Sequence, residues 1–226
     1  MSSDAALVSS AHAATMERDR AYEQVRQAIV SGQLGAGAAV SERGLSEALG
    51  LGRTPVREAV KTLAQEGFLD IVPMRGTFVR QLSLQDLREI HEVRLGLEGI
   101  ASVLAAQRGG SDELQACAAE LRAMADAPEP LDTDAAQRLG WRFHEAIFRA
   151  AGNARLLGLY RNLRAQSGLA LRQNAQYDAL RVHAALQEHL GIHAAIAAGD
   201  ADTAQRLSWA HLSLALQTKL RLLASG

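Results

Sequence analysis

The segment Arg53-Thr54-Pro55-Val56-Arg57 follows a short turn, Gly50-Leu51-Gly52, and opens a run of apolar helical periodicity that ends at Gly67. Thr54 can accept an N–H bond as a helix N-cap. Pro55 suits the first helical position, where a backbone N–H would be unpaired in any case. Arg53 and Arg57 then lie beside the helix N-terminus, close to its free backbone N–H groups. Such a helix start is suited to contact with nucleic acid.

Two shorter helices are predicted before this one. Val25, Ile29 and Leu34 space an amphipathic helix, and Ser41 begins a second helix that ends before the Gly50 turn. A short turn between two small helices is the helix-turn-helix pattern, in which the second helix enters the DNA major groove. The helix that starts near Thr54 is therefore predicted to be the reading helix.

A two-stranded wing is predicted after the reading helix. Segments 68–72 and 77–79 are rich in strand-forming residues and flank the turn Pro73-Met74-Arg75-Gly76. Strand-forming runs separated by such a turn predict a hairpin. Its tip is basic because of Arg75.

The run from Tyr22 to Arg80 resembles the winged helix-turn-helix domain of GntR-family transcription regulators. The matching pieces are Tyr22-Glu23-Gln24-Val25, Ser31-Gly32-Gln33-Leu34, Ser41-Glu42-Arg43, Arg53-Thr54-Pro55-Val56-Arg57-Glu58-Ala59, Glu66-Gly67 and Arg75-Gly76-Thr77-Phe78-Val79. The resemblance implies that six residues contact DNA, four at base edges or phosphates and two at a wing tip in the minor groove: Arg43, Arg53, Thr54 and Arg57, then Arg75 and Gly76. Two positions depart from the family pattern. Gly44 stands where a Glu is usual, which removes a capping-box partner for Ser41, and Gly52 replaces a common Ser.

Composition alone does not indicate a DNA-binding protein. The chain has 24 Lys and Arg against 25 Asp and Glu, and residues 22–80 have seven against six. Positive charge is instead local, because Arg53, Arg57 and Lys61 recur every four residues on one helix face. A solvated basic stripe is the alternative interpretation, and the turn and wing around it favour the DNA interface.

The length of 226 residues allows two modest domains. Past Leu82 there is little strand signal, and helices are predicted near 83–108, 111–126, 131–151, 153–174, 177–198 and 200–223. The prediction is a mostly α fold with two domains. Residues 21–81 form the winged helix-turn-helix, and 82–226 form an all-α bundle for effector binding and dimerisation. Residues 1–20 are Ala- and Ser-rich and are predicted to be a disordered arm.

Features of targeting and redox chemistry favour a cytoplasmic chain without a membrane partner. No apolar stretch approaches the roughly 20 residues that span a bilayer, and no charged segment precedes an apolar one near the start. The single Cys117 cannot form an internal disulfide and is predicted to be a small buried hydrophobe.

Histidines are the candidate metal ligands of the second domain. His144, His189 and His211 fall in three different predicted helices, so their imidazoles could converge on one divalent cation. Three unrelated half-buried histidines are the alternative. His193 lies four residues after His189 and could add a ligand from the same helical face, or it could be a partly exposed surface residue.

Residues 83–223 resemble the FadR-type C-terminal ligand-binding domain, FCD. The matching pieces are Val93-Arg94 with Leu97-Glu98, Phe143-His144 with Ala151-Gly152-Asn153, Glu188-His189 with Ala195-Ile196 and Gly199-Asp200, and Ala210-His211-Leu212. In metal-binding members, an Asp four residues before the first His joins three His around a divalent metal, often Zn, and small organic acids bind against that metal. The three His positions match here.

The fourth ligand position of that family pattern is Gly140 here, which has no side chain to offer. We expect a divalent metal site, for Zn or Ni, that is weakened by the loss of an anionic ligand and has an open coordination position. A metal-free site, in which the histidines and a nearby Arg bind an anionic effector directly, is the alternative.

Two further residues are candidates for effector binding. Arg94 suits bidentate recognition of a carboxylate, although an ion pair with Glu98, four residues on, is an equal alternative. Asn153 resembles a family position near the end of the first His helix, and the alternative is that it caps the next helix.

The sequence therefore predicts a cytoplasmic, homodimeric, ligand-responsive transcription regulator that is not an enzyme. Its expected partners are double-stranded operator DNA, a small carboxylate-bearing effector and a second copy of the chain. A regulator whose bundle acts only in dimerisation is one alternative. A helical-bundle metalloenzyme is another, but it needs a general base, and Glu145 and Glu188 are predicted to point away from the histidines beside them.

Overall fold

The computed structural model describes residues 2–128, 130–171 and 178–224 of the chain. It divides into two compact units, the first of Met1–Ser83 with Ala165–Arg172 and the second of Leu84–Arg164 with Gln173–Gly226. Both are dominated by helices, with one small sheet, as the sequence predicted. Among the helices in the described ranges, none combines the length and apolar character that crossing a membrane requires.

The first unit joins one long helix and two shorter ones to a three-stranded sheet. Its elements in chain order are α1 (Ser2–Val30), β1 (Ala39–Val40), α2 (Glu42–Leu49), α3 (Arg53–Gln65), β2 (Leu69–Val72) and β3 (Gly76–Val79). The strand order is β1-β3-β2 and both pairs are antiparallel. The β2–β3 hairpin is the predicted wing. The sequence missed β1, because two residues are too few to show a periodicity.

A single apolar core holds α1 and α3 together and closes over the sheet. Helical spacing places one face of each helix inward, and the side chains of that face are no more than 1% exposed: Ala21, Val25 and Ile29 from α1, and Val56, Val60 and Leu63 from α3. Phe68 and Val79 join this core from the start and end of the hairpin. Burying each large apolar side chain contributes about 1.5–3 kcal/mol.

The first helix corrects the expectation of a disordered arm over residues 1–20. It begins at Ser2 and runs without interruption to Val30. The alanines of this segment have the highest helix propensity of any residue. The helix is anchored from Ala21 onward in the core, so extending it toward its N-terminus costs no new nucleation.

The cap of α2 forms as the sequence predicted. The hydroxyl oxygen of Ser41 accepts a bond from the backbone N–H of Gly44 at 3.2 Å. At the other end Gly50 takes a left-handed conformation, φ 62°, which suits glycine and ends the helix.

The start of α3 differs by two residues from the prediction. The N-cap is Gly52 and no side chain caps the helix, so Thr54 lies within the first turn and is not the cap. The carbonyl of Gly52 accepts the Val56 N–H at 3.4 Å. Pro55 is still tolerated because N–H groups of the first turn have no helical partner.

Gly44→Glu is expected to stabilise α2 by about 1 kcal/mol, because it replaces a helical glycine and restores a capping box with Ser41. An added Cβ would lie 3.6 Å from the Ser41 Cβ, an ordinary contact. Hydrogen-exchange protection of the α2 amides in the full chain measures the gain. Gly44→Ala is the control for propensity alone, and equal protection in the two variants would contradict the capping contribution.

The second unit is built from long helices that match those predicted. In chain order these are α4 (Leu84–Gln107), α5 (Asp112–Ala125), α6 (Thr133–Ala150), α7 (Ala154–Leu171), α8 (Ala179–Ala197) and α9 (Ala201–Ala224). The part of α7 from Ala165 onward belongs to the first unit. Side-chain caps at Ser111, Asp132 and Asp178 begin α5, α6 and α8. Gly152 and Gly199 have positive φ at the breaks that follow α6 and α8.

Packing in the second unit brings α4, α6, α8 and α9 together. Helix α4 packs along α9, while α6 contacts both α4 and α8, and α8 also contacts α9. Apolar side chains including Leu121, Phe143 and Ile192 are fully buried in its core. Cys117 is 2% exposed, which confirms it as a buried residue. This arrangement lets polar side chains from four helices meet inside the unit.

Candidate nucleic-acid interface and metal centre

Helix α3 has one apolar face and one basic face. Val56, Ala59, Val60 and Leu63 are buried in the core of the first unit. Arg53, Thr54, Arg57 and Lys61 are exposed. Across the described residues, neither Arg53 nor Arg57 has an ion-pair partner within the chain. Their guanidinium groups are therefore available to an external anion.

The remaining predicted DNA-contact residues are also at the surface. Arg43 is exposed on α2, where its Nε lies 2.9 Å from a carboxylate oxygen of Glu47. Arg75 and Gly76 are exposed at the turn between β2 and β3, which is closed by a bond from Arg75 N–H to the Val72 carbonyl at 3.1 Å. All six predicted positions can thus reach a ligand.

Three histidines meet inside the second unit. His144 comes from α6, His189 from α8 and His211 from α9, and they are only 5–7% exposed. The Nε2 atom of His189 lies 3.2 Å from the Nε2 of His144 and 3.2 Å from the Nε2 of His211. These three residues, the histidine cluster, confirm the predicted convergence and exclude the alternative of three unrelated side chains.

Carboxylates behind the cluster orient two of its rings. Nδ1 of His144 lies 2.9 Å from Oε2 of Glu98, and Nδ1 of His211 lies 2.5 Å from Oε2 of Glu188. When Nδ1 donates its hydrogen to the carboxylate, the lone pair on Nε2 of the same ring faces the cluster. The prediction that Glu188 points elsewhere is therefore wrong: its long side chain reaches His211 on the adjacent helix.

The charges around these carboxylates keep them ionised. Burial alone would raise the pKa of Glu98, but Arg94 and His144 hold it well below its ordinary value. Burial likewise opposes ionisation of Glu188, and its bonds with His211 and Arg181 lower its pKa. The outer groups of the site are thus anionic at neutral pH.

His189 differs from the other two rings. Burial, and then the neighbouring His211 and His144, lower its pKa well below the ordinary histidine value. Its Nδ1 has no hydrogen-bond partner among the described residues. His189 is therefore a neutral ring whose tautomer is not determined by an outer acceptor.

The donor set fits a divalent metal. A tetrahedral ion with imidazole nitrogens at about 2.0–2.1 Å separates those nitrogens by about 3.3 Å, close to the 3.2 Å that separates the Nε2 of His189 from that of His144 and from that of His211. Buried neutral imidazoles with carboxylates at Nδ1 are the usual surroundings of such ions. The residues present can hold a metal without an Asp at position 140.

Gly140 lies directly against the His189 ring, a contact that the sequence did not predict. A Cβ at Gly140 would lie 2.9 Å from Cε1 of His189, closer than side-chain carbons can approach. The His189 ring therefore rests against the Gly140 backbone. The glycine permits the position that His189 takes in the cluster.

His193 does not supply a fourth ligand. Its Nε2 lies 2.9 Å from Oε1 of Gln115, and the residue is 8% exposed rather than at the surface. The prediction that it could compensate for Gly140 is wrong, because His189 and His193 have different neighbours. His189 faces His144 and His211, whereas His193 faces Gln115.

The two effector candidates have local partners. Arg94 forms the ion pair that was the alternative interpretation, with its guanidinium 2.7 Å from Oε1 of Glu98. Asn153 is exposed and its Oδ1 accepts the Leu156 N–H at 3.1 Å, so it caps α7. The structure thus supports the capping role of Asn153 and connects Arg94 to the cluster through Glu98.

Comparison with known families accounts for both units. Residues 17–79 match the family described as bacterial regulatory proteins, gntR family, and residues 89–214 match the FCD domain. The chain belongs to the GntR family. It is a regulator with an FCD domain, and its relatives are regulators of transcription rather than enzymes.

Individual relatives agree with this assignment. A protein of Paenarthrobacter nicotinovorans, "Probable D-xylose utilization operon transcriptional repressor", is 33% identical over 204 residues, 88% of each chain. A GntR regulator structure from Rhodococcus sp. RHA1 is 28% identical, with a TM-score of 0.68, and covers 90% of this regulator and 97% of that chain. The Zn²⁺-bound FCD domain of TM0439 shares the fold at 23% identity and a TM-score of 0.51, covering 65% and 99%.

Gly140→Ala is expected to leave the regulator about 1–3 kcal/mol less stable than Gly96→Ala, because only the first forces a buried ring to move. Gly96 lies in α4, is exposed, and has nothing within 4 Å of an added Cβ. There Ala should stabilise by about 1 kcal/mol through helix propensity. Urea unfolding with chelator present measures both variants, and equal stabilities would contradict the contact between Gly140 and His189.

Proposed function

We propose that this GntR-family regulator binds operator DNA as a homodimer and binds a divalent metal at the histidine cluster, against which a small carboxylate-bearing effector is sensed. The observation that carries the proposal is the convergence of three buried Nε2 atoms, two of them oriented by carboxylates. Burying polar groups costs free energy unless they are hydrogen-bonded or paired. Clusters of buried titratable groups with shifted pKa values are therefore concentrated at functional sites.

The DNA part of the proposal rests on α3 and the wing. Arg53, Arg57 and Lys61 share the exposed face of α3, and guanidinium groups bind guanine edges and phosphates well. Arg43, Thr54, Arg75 and Gly76 are proposed to add contacts to the backbone and the minor groove. One such unit reads only a half-site, and a homodimer on a palindromic operator would contact both halves.

The metal part rests on the donor chemistry. His144, His189 and His211 would hold the ion, and imidazole ligands suit zinc and nickel. When bound, the metal would supply a positive centre that accepts a carboxylate oxygen of the effector. That the FCD domain of TM0439 has been obtained in Zn²⁺-bound and metal-free forms supports this interpretation.

Signalling would require that the effector binds one state of the dimer more tightly than the other. Glu98 and Arg94 belong to α4, and His211 belongs to α9, so a ligand at the cluster would be bonded to several helices at once. A shift in any of them changes the packing of the second unit. The effector is proposed to bias the DNA-binding state in this way.

A metal-free site that binds the effector anion directly is the second candidate. Because His144 and His211 already donate from Nδ1, the hydrogen between the three Nε2 atoms would belong to His189. The unpartnered Nδ1 of His189 is consistent with that tautomer. Metal content separates the two candidates.

Arg53→Ala and Arg57→Ala are each expected to weaken operator binding by about 1–3 kcal/mol without affecting the fold. Fluorescence anisotropy at fixed salt measures this on DNA that the wild-type chain selects from a random pool. Arg142→Ala, an exposed arginine of the second unit paired with Glu120, is the control and should bind as wild type. Unchanged affinity in both α3 variants would refute the interface.

The purified wild-type chain is expected to contain about one divalent metal per chain, and His144→Ala should contain none. Gly140→Asp should bind metal more tightly than Gly140→Ala, because both displace His189 but only Asp adds an anionic ligand. Elemental analysis and competition with a chelator measure these quantities. A wild type that stays metal-free after incubation with Zn²⁺ and Ni²⁺ would refute the metal assignment and favour direct anion binding.

A further inference from the structure

Lys219 is a buried lysine for which the described residues provide no acidic partner. It lies in α9, is 8% exposed, and is one of only two lysines in the chain, the other being Lys61. In the part of the chain that the structure describes, it has no hydrogen bond or ion pair with a carboxylate. Lysines are almost never buried unless they are paired, because desolvating an ammonium group is costly.

Its charged neighbours add to that cost. Burial, and then the guanidinium of Arg94, lower the pKa of Lys219 to about 8. Burial, then Arg94, and to a smaller extent Lys219 lower the pKa of His91. Three basic side chains of α4 and α9 thus act on one another inside the second unit.

Glu98, the acidic residue next to Arg94 on α4, is already paired. Glu98 accepts from Nε of Arg94 at 2.8 Å and pairs with Nδ1 of His144 at 2.9 Å. Its negative charge is shared between Arg94 and the histidine cluster. The group formed by His91, Arg94 and Lys219, here called the basic group, therefore carries an excess of positive charge when Lys219 is protonated.

The basic group lies on α4 and α9, the helices that also carry Glu98 and the cluster residue His211. Helices α4 and α9 are antiparallel, since Ser102 bonds Ser208 at 2.7 Å and the carbonyl of Leu95, earlier in α4, accepts from Nε1 of Trp209, later in α9, at 2.8 Å. His91 and Arg94, earlier still in α4, act electrostatically on Lys219, later in α9. His91 and Glu98 are seven residues apart, two turns on one face, or about 10 Å along the axis. Arg94, between them, reaches both groups.

We propose that the basic group is an anion subsite that binds one acidic group of the effector while the histidine cluster binds another. The effector would then be an organic acid with at least two anionic groups, and Lys219 would discriminate it from a monocarboxylate. This inference rests on the proposed function of the histidine cluster as the effector site. An anion beside Lys219 supplies the missing counter-charge of the buried ammonium.

The presence of only two lysines makes a direct test feasible. In full-length protein labelled at the lysine side chains, NMR gives one signal for each lysine, and Lys219→Met assigns them. Succinate is the dicarboxylate probe and butyrate is the monocarboxylate of the same carbon number. Succinate is expected to shift the Lys219 signal and to raise its apparent pKa from about 8, whereas the Lys61 signal stays unchanged. No response to succinate at saturating concentration would overturn the subsite.

Binding measurements on variants complete the test. By calorimetry, wild type is expected to prefer succinate over butyrate by about tenfold or more, which corresponds to about 1.4 kcal/mol. Lys219→Met should lose this preference, Lys219→Arg should retain it, and Lys61→Met is the matched control. A preference that persists in Lys219→Met would refute the proposal. The NMR titration of wild type decides the case even if that variant fails to fold.

The two proposals fail in different ways. A wild-type chain that binds no metal, but whose Lys219 signal still responds to succinate, would refute the metal assignment and support the subsite. A chain that holds metal at the cluster, but whose Lys219 signal does not respond to succinate, would support the metal assignment and refute the subsite.

Discussion

The buried carboxylate of Glu98 is the interaction on which the candidate site depends. It is 3% exposed, and such a charge is stable in a protein interior only when it is fully paired. Arg94 on the same helix and His144 on α6 provide that pairing, at 2.7 and 2.9 Å. The bond to His144 determines which ring nitrogen faces the cluster. One carboxylate therefore joins two helices and orients a ligand atom.

Glu188 repeats this arrangement on the other side of the cluster. It is held by both guanidinium nitrogens of Arg181, at 2.9 and 3.1 Å, and accepts from His211. Each of these histidines thus lies at the end of an arginine–carboxylate chain. His189 has no such partner and is positioned instead by packing against Gly140. The cluster combines two rings whose tautomers are determined with one that can change when a ligand binds.

Much of the architecture was predictable because it depends on local patterns. The helices of the second unit, the Ser41 cap and the hairpin follow from periodicity, capping residues and turn chemistry. The ends of helices and the short strand, which depend on contacts with other segments, were not predictable. The α3 N-cap is Gly52, a position that the Thr54-Pro55 pattern obscured. Strand β1 exists only because β3 offers it an edge to pair with, and α1 extends because the core anchors its end.

The sequence by itself determined the family, the two-part organisation and the identity of His144, His189 and His211 as candidate ligands, because residue type and spacing along the chain carry that information. Only the tertiary structure decided that Glu188 supports His211, that His193 bonds Gln115, and that Gly140 gives room to a ring. These contacts join helices far apart in sequence. Their distances depend on interhelical packing and side-chain rotamers, which no local pattern encodes.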